Sequence, residues 1–312
     1  MARSSDVVPV GATSAAVFDV ACRLAESGGS IPSEITQAAA AVAGELASLP
    51  PDYVRSALTR ILVAPYASDG LQWLHDSGAL GALLPELDAT VNLSQEADRR
   101  HKDVWEHTKQ VVMQSPNQPI VRWAALLHDI GKVSTRVMLP DNKVTFHRHA
   151  EVGARQFDTM GRRLGFPRPE RQRIRFLIIN HLRANAYEPE WTDAAVRRFD
   201  HEMGDALPDL VELSRADVTS ARPGRRQEAA RNIEALLERI AAVRAMDAIV
   251  PPLPPGVGNA IMEAFSIPPS RRVGELRKLC EDAIERGELQ ERQPSEYYVE
   301  YLRTQGITAD KP

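Results

Sequence analysis

His128 and Asp129 stand side by side at the end of an otherwise apolar run, Val121 to Leu127. Neither an imidazole nor a carboxylate belongs at the end of an apolar helix unless something satisfies it. One reading is a hydrogen-bonded pair in a core. The other is two ligands of a divalent cation. Neighbouring residues on a helix project about 100° apart, so two ligands from one turn can take adjacent corners of an octahedral shell. Further ligands must then come from other helices. His107, in Val-Trp-Glu-His-Thr, lies upstream, and Asp217, in Leu-Ser-Arg-Ala-Asp, lies downstream. Two imidazoles and two carboxylates leave positions open for water and a substrate oxygen. Such mixed ligation suits Mn, Fe, Co, Ni or Mg better than a closed structural zinc site. A metal of this kind acidifies its water and polarises a phosphoryl oxygen, and both favour phosphoester hydrolysis.

The elements that must position these residues read as helices. Val17, Val20, Ala21 and Leu24 recur at helical spacing and Gly28-Gly29 stops them. Ser33 starts a second helix, with Ile35, Ala39, Val42 and Leu46 on one face, and Pro50-Pro51 ends it. A third runs from about Asp52 to Val63. Ser68-Asp69-Gly70 leads into a fourth through Leu71, Trp73 and Leu74, closed by Gly78. His107 falls on a helix from about Arg100 to Gln114. His128-Asp129 ends one from about Ile120 to Ile130, apolar on most sides and therefore buried. Val137-Met138-Leu139 and Val144-Thr145-Phe146 flank Pro-Asp-Asn-Lys and predict one small β-hairpin. Helices are expected again at about 148–164, 169–182, 192–203, 205–219 and 227–245. Pro251-Pro252 and Pro254-Pro255 make a stiff break, and a helical tail follows at about 258–285. The fold class is all-α. The expected organisation is a frayed start over residues 1–12, an N-terminal helical region over 13–95, a site-bearing domain over 96–247 and a tail over 248–312.

The 312 residues carry a formal charge of −4, so bulk electrostatics do not point to nucleic acid, and such binding would need a local patch. Cys22 and Cys280 belong to no C-x-x-C pair and read as buried free thiols of a reducing compartment. Met1 to Val20 has no basic segment followed by a long apolar run, so no signal peptide is expected. No stretch approaches the roughly 18 consecutive apolar residues of a membrane span. A cytoplasmic protein with no membrane partner is the expectation.

The run His128-Asp129-Ile130-Gly131-Lys132, with His107 upstream and Asp217 downstream, resembles the H…HD…D signature of the HD superfamily of metal-dependent phosphohydrolases. The wider text is similar to the C-terminal part of bacterial tRNA nucleotidyltransferases, the CCA-adding enzymes and poly(A) polymerases that carry an HD domain. The matching runs are His101–Thr108, Arg122–Asp129, Phe146–Ala154 and Leu213–Ser220. The stretch from Phe18 to Leu87 resembles the neck helices of that family, and Gly256 to Leu289 its tail. Those enzymes begin with a nucleotidyltransferase head marked by a Gly-Gly…Arg-Asp loop and an Asp-x-Asp pair. Here Gly28-Gly29 runs into Ser-Ile-Pro-Ser-Glu and no Asp-x-Asp occurs, so CCA addition is not expected.

The resemblance implies an HD-domain helical bundle. It also implies activity on 2′,3′-cyclic or 2′-phosphates, with one or two divalent ions as cofactor. His107, His128, Asp129 and Asp217 would be the metal ligands. Asp129 would orient the metal and the nucleophile, and Lys132 would lie near substrate phosphate. The other reading of Lys132 is a cation favoured by a helix C-terminus. Arg136 and Arg148 could join it at the phosphate or face solvent. His149 and His181 fit the extended order H…HD…H…H…D. A second metal, a hydrogen bond to substrate phosphate, and a surface or capping role all remain open for them.

Between Arg155 and Arg183 lie eight arginines against Asp158 and Glu170. Phosphate backbones bind such patches, and a solvated helical face has the same composition. Two functions follow. The chain is a phosphohydrolase acting on a nucleotide or RNA-end phosphoester, or it is a helical module that binds RNA such as tRNA around an idle HD site.

Overall fold

The computed structural model describes residues 13–94, 103–140, 143–219, 224–248 and 251–307. The frayed start expected over residues 1–12 and the helix start expected at Arg100 lie outside the described residues. Apart from one antiparallel hairpin, the described chain is helical. It divides into two compact units, residues 1–241 and 242–312.

The first unit opens with α1 (Ser14–Ser27), α2 (Ser33–Val42), a 3₁₀ segment (Ala43–Ser48) and α3 (Pro51–Leu62). Gly28, at φ 65°, ends α1 because only a residue without Cβ turns there cheaply. Next come α4 (Ala67–Asp76), α5 (Ala79–Leu83) and α6 (Pro85–Asp88). Ser68-Asp69-Gly70, expected ahead of α4, forms its first turn instead. Gly70 is where α4 meets α1: a Cβ there would lie 2.8 Å from Ala25 Cβ and 3.0 Å from the Ala21 carbonyl oxygen. The glycine marks a close helix contact rather than a turn.

The site-bearing part comprises α7 (Val104–Gln114), α8 (Pro119–Leu127), α9 (Lys132–Thr135), α10 (His149–Arg163), α11 (Arg168–Asn180), α12 (Asp193–Met203) and α13 (Leu207–Ala216). Asp103 caps α7 by accepting from the N–H groups of Trp105 and Glu106. Helix α8 lies at the centre, packed against α3, α7, α11 and α13, and every residue from Val121 to Leu127 is buried. That includes Arg122, whose guanidinium donates to Leu62 O, Pro116 O and Asn117 Oδ1. A buried arginine is tolerated only with such acceptors. Helix α8 stops at Leu127, three residues short of the expected end, so His128, Asp129, Ile130 and Gly131 form a turn into α9. The hairpin is β1 (Val137–Met138) with β2 (Val144–Thr145), in register Val137 to Thr145. Its tip, residues 141–142, lies outside the described residues.

Helix α14 (Arg225–Ala248) follows, with Ile233, Leu236 and Ile240 buried. The second unit contains α15 (Val257–Phe265), α16 (Arg271–Glu285) and α17 (Ser295–Thr304). Their core is built from Val257, Ile261, Phe265, Leu276, Cys280, Tyr298 and Leu302. The tail expected as one stretch over 258–285 is thus two helices, parted at Ser266 (φ 51°) before Pro268-Pro269. Helix α17 was not anticipated, although Tyr298, Val299 and Leu302 already carry a helical apolar spacing. Both cysteines are free and buried, as the sequence implied. Among the described residues no helix is long and apolar enough to cross a membrane.

Candidate functional site

The turn after α8 points His128 and Asp129 into a pocket of imidazoles. His107 reaches it from α7, Asp217 from the C-terminal end of α13, His149 from the start of α10 and His181 from the end of α11. His128, Asp129 and His181 are almost fully buried, at 0%, 2% and 1% exposure.

Two groups of atoms share Asp129. On one side, Asp129 Oδ2 lies 3.2 Å from His128 Nε2 and 3.4 Å from His107 Nε2. Asp217 Oδ1 lies 3.0 Å from His107 Nε2 and 3.4 Å from His128 Nε2. The two Nε2 atoms are 3.2 Å apart. On the other side, Asp129 Oδ1 lies 3.4 Å from His149 Nε2 and 4.0 Å from His181 Nε2. Those two nitrogens are 3.3 Å apart. Asp129 Oδ1 is buried and has no hydrogen-bond partner. An orphaned carboxylate oxygen facing two imidazole nitrogens is costly unless a cation belongs there. The sets His107, His128, Asp129 and Asp129, His149, His181 each bring ligand atoms close enough to share an ion, so the residues fit a divalent metal. No thiol lies among them, which agrees with the nitrogen and oxygen donors read from sequence.

The backbone orients three of the four imidazoles by one device. Nδ1 of His128, His149 and His181 lies 2.8, 2.9 and 2.7 Å from the carbonyl oxygens of Ala125, Phe146 and Ile178, each three residues earlier. An N–H donated there leaves the Nε2 lone pair aimed inward, the arrangement a metal-binding histidine needs. His107 differs, because its Nδ1 lies 2.8 Å from Thr219 Oγ1. Sequence reading passed over Thr219. It sits two residues beyond Asp217, and only the turn after α13 brings it to α7. Thr219→Val is expected to weaken divalent-ion binding by about 10- to 100-fold. Thr219→Ser should restore it, as read by competition with a chromophoric chelator. Equal affinity in all three proteins would exclude the role.

Electrostatics favour positive charge in the first half of the site. Burial opposes a charge on His128, but Asp129 and Asp217 outweigh it and raise its pKa to about 10. Burial would lift both carboxylates, yet the facing imidazoles, with Lys132 at Asp129, hold them well below the ordinary range. In the second half, burial lowers His149, and burial together with His128 lowers His181 to about 4. Both rings are therefore neutral near pH 7, as ligation requires.

The remaining expected residues fall into different situations. Lys132 Nζ lies 2.6 Å from Asp129 Oδ2 and 5.4 Å from the centre of the Phe146 ring, so it belongs to the cluster. Arg136 Nε donates to Ser94 O at 3.4 Å, which ties it to the chain before α7. Arg148 is exposed and occupies the left-handed position (φ 62°) that starts α10. Half of the arginines in the basic stretch pair with carboxylates, three of which come from elsewhere in the fold. Arg163, Arg173, Arg175 and Arg183 pair with Glu86, Asp209, Asp158 and Glu202 at 2.8, 2.7, 2.9 and 2.6 Å. Arg155, Arg162 and Arg168 are exposed.

Residues 90–240 match the HD domain family. That match covers just under half of the chain. All six clustered side chains lie within the matched residues. Outside and across the HD domain the chain is similar to tRNA nucleotidyltransferases. It is 33% identical over 255 residues to the A-adding tRNA nucleotidyltransferase of Deinococcus radiodurans, covering 79% of this chain and 57% of that protein. It is 38% identical over 175 residues to the CC-adding tRNA nucleotidyltransferase of Thermus thermophilus, covering 54% and 39%. It is 34% identical over 165 residues to the multifunctional CCA protein of Xanthomonas campestris pv. campestris, covering 51% and 38%. The chain thus spans little more than half the length of the first relative and about two fifths of the others.

Proposed function

We propose that this chain is a metal-dependent phosphohydrolase acting on a nucleotide or RNA-end phosphoester, of which a 2′,3′-cyclic phosphate is the leading example. His107, His128, Asp129 and Asp217 would hold one divalent cation, and Asp129, His149 and His181 a second. The observation that carries this reading is the shared carboxylate: Asp129 turns one oxygen to each imidazole pair, and Oδ1 has no other partner. A divalent ion bound there supplies Lewis acidity to a phosphoryl oxygen and makes water a nucleophile near neutral pH. His128 and Lys132 together keep Asp129 ionised, and Lys132 adds a point charge beside a substrate phosphate. The i−3 carbonyls hold three of the four rings in one orientation, so little reorganisation is needed when substrate arrives. The relatives' names point to tRNA and support an RNA-derived substrate.

The test is a panel of bis-p-nitrophenyl phosphate, 2′,3′-cyclic AMP and 2′-AMP against Mn, Co, Ni, Fe and Mg, using the purified full chain. Turnover with at least one ion, lost after chelation and restored by that ion, is the expected result. RNA binding without turnover under every ion would replace this reading with the idle-site module.

A further inference from the structure

The chain has four tryptophans, and three of them are committed to the fold. Trp73, Trp105 and Trp123 are 5%, 1% and 1% exposed, and their indole N–H groups donate to Thr36 Oγ1, Gln72 Oε1 and Thr59 Oγ1. Trp191 is different. It is only partly buried, and its indole N–H has no acceptor among the described residues. It lines a cavity of about 350 Å³ together with Arg183, Ala186, Ala195, Arg198 and Phe199, a volume at the lower end for small-ligand sites.

The walls have distinct characters. Trp191 stands edge-on between Tyr187 and Phe199, with ring centres 5.5 and 5.7 Å away. Arg183 is pinned over Phe199 at 5.5 Å and neutralised by Glu202 at 2.6 Å. Arg198 is exposed and has no carboxylate partner among the described residues. The residues lining the cavity therefore include an aromatic surface, an indole N–H with no acceptor and a guanidinium with no carboxylate partner among the described residues. A ligand matching all three has a flat ring, a hydrogen-bond acceptor and a negative charge, which describes a nucleotide unit.

The cavity is built on the segment that carries His181. Beyond His181 the chain turns through Arg183 and Asn185 to Tyr187. The turn is fastened to α13, because Ser214 Oγ donates to His181 O and Asn185 Nδ2 donates to Ser214 O. We propose that the Trp191–Arg198 cavity is a subsite for one nucleotide of an RNA substrate, with the base on Trp191 and a phosphate on Arg198. This rests on the phosphohydrolase reading and makes it more specific: the substrate is a strand with a flanking nucleotide, rather than an isolated phosphoester.

The experiment measures anisotropy of a 5′-labelled four-nucleotide RNA ending in a 2′,3′-cyclic phosphate, alongside turnover of that RNA and of bis-p-nitrophenyl phosphate. Trp191→Leu and Arg198→Glu are each expected to weaken RNA binding by about tenfold or more, and to lower kcat/KM for RNA alike. Bis-p-nitrophenyl phosphate turnover should stay unchanged, since it has no nucleotide to place. Arg198 is on the surface, so its variant keeps the proposal testable if Trp191→Leu fails to fold. Unchanged RNA affinity in Arg198→Glu overturns the subsite, and so does an equal loss on both substrates. If the wild type binds RNA in a Trp191- and Arg198-dependent way but hydrolyses neither substrate, the subsite stands and the hydrolase reading falls.

Discussion

Asp129→Asn is expected to lower phosphoester turnover about a thousandfold or more and to strip both halves of the site of metal together. The size follows from what a metal contributes to such a reaction, several kcal/mol, at about 1.4 kcal/mol per tenfold in rate. The breadth follows from geometry. Among the described residues Asp129 is the one carboxylate within 4.0 Å of both imidazole pairs, with Oδ2 toward His107 and His128 and Oδ1 toward His149 and His181. His149→Ala should empty only the second half, leaving His107, His128, Asp129 and Asp217 in place. Metal content of dialysed protein, measured by emission spectroscopy, checks this: Asp129→Asn should approach zero while His149→Ala keeps one ion. The amide also removes the negative charge beside Lys132, whose ammonium pairs with Asp129 Oδ2 and whose side chain is only 12% exposed. The double variant with Lys132→Met removes that ammonium, so a loss of fold can be told from a loss of site. Full metal content in Asp129→Asn would overturn the shared-carboxylate arrangement.

Gly131→Ala is expected to lower the melting temperature and to disable the second half of the site, although residue 131 ligates nothing. A Cβ at Gly131 would overlap the carbonyl oxygen of His149 and lie 2.6 Å from the Gly153 nitrogen. Both obstacles are backbone at the start of α10, so no side chain can swing aside. Helix α10 must move away from the turn after α8, carrying His149 away from Asp129 Oδ1. Overpacking of this kind costs about 1–3 kcal/mol, which for a unit of this size corresponds to roughly 3–10 °C in Tm. Differential scanning calorimetry reads the first effect, and metal stoichiometry falling from two to one reads the second. An unchanged Tm with two ions retained would show that the turn has slack the structure does not display.

Much of the site was legible before folding. His128-Asp129 after an apolar run announced buried polar groups needing a partner, and the order of His107, His149, His181 and Asp217 matched an extended ligand pattern. Their convergence was not legible. His107 and Asp217 are 110 positions apart, and their meeting depends on α7 and α13 packing on the same buried helix α8. The alternatives for His149 and His181 could not be weighed by periodicity, since a helix-terminal histidine looks the same whether it caps, ligates or faces water. The position of Asp129 Oδ1 beside both rings is what supports the ligand reading proposed above.

The basic stretch shows the opposite failure. Eight arginines against two carboxylates in sequence suggested a patch, but Glu86, Asp209 and Glu202 arrive from other elements and answer three of them. Local charge counting sees neighbours along the chain, whereas Coulomb energy depends on neighbours in space. Likewise Gly70, read as leading into α4, lies within it and serves as a point of close approach to α1.

By itself the sequence determined the helical class, the stop at Gly28, the small hairpin and the residue types able to bind a cation. These are local matters of propensity, periodicity and side-chain chemistry. The tertiary structure decided which nitrogen faces which oxygen and that Thr219 holds His107. Those depend on contacts tens of residues apart, formed by packing around α8, and no local pattern encodes them.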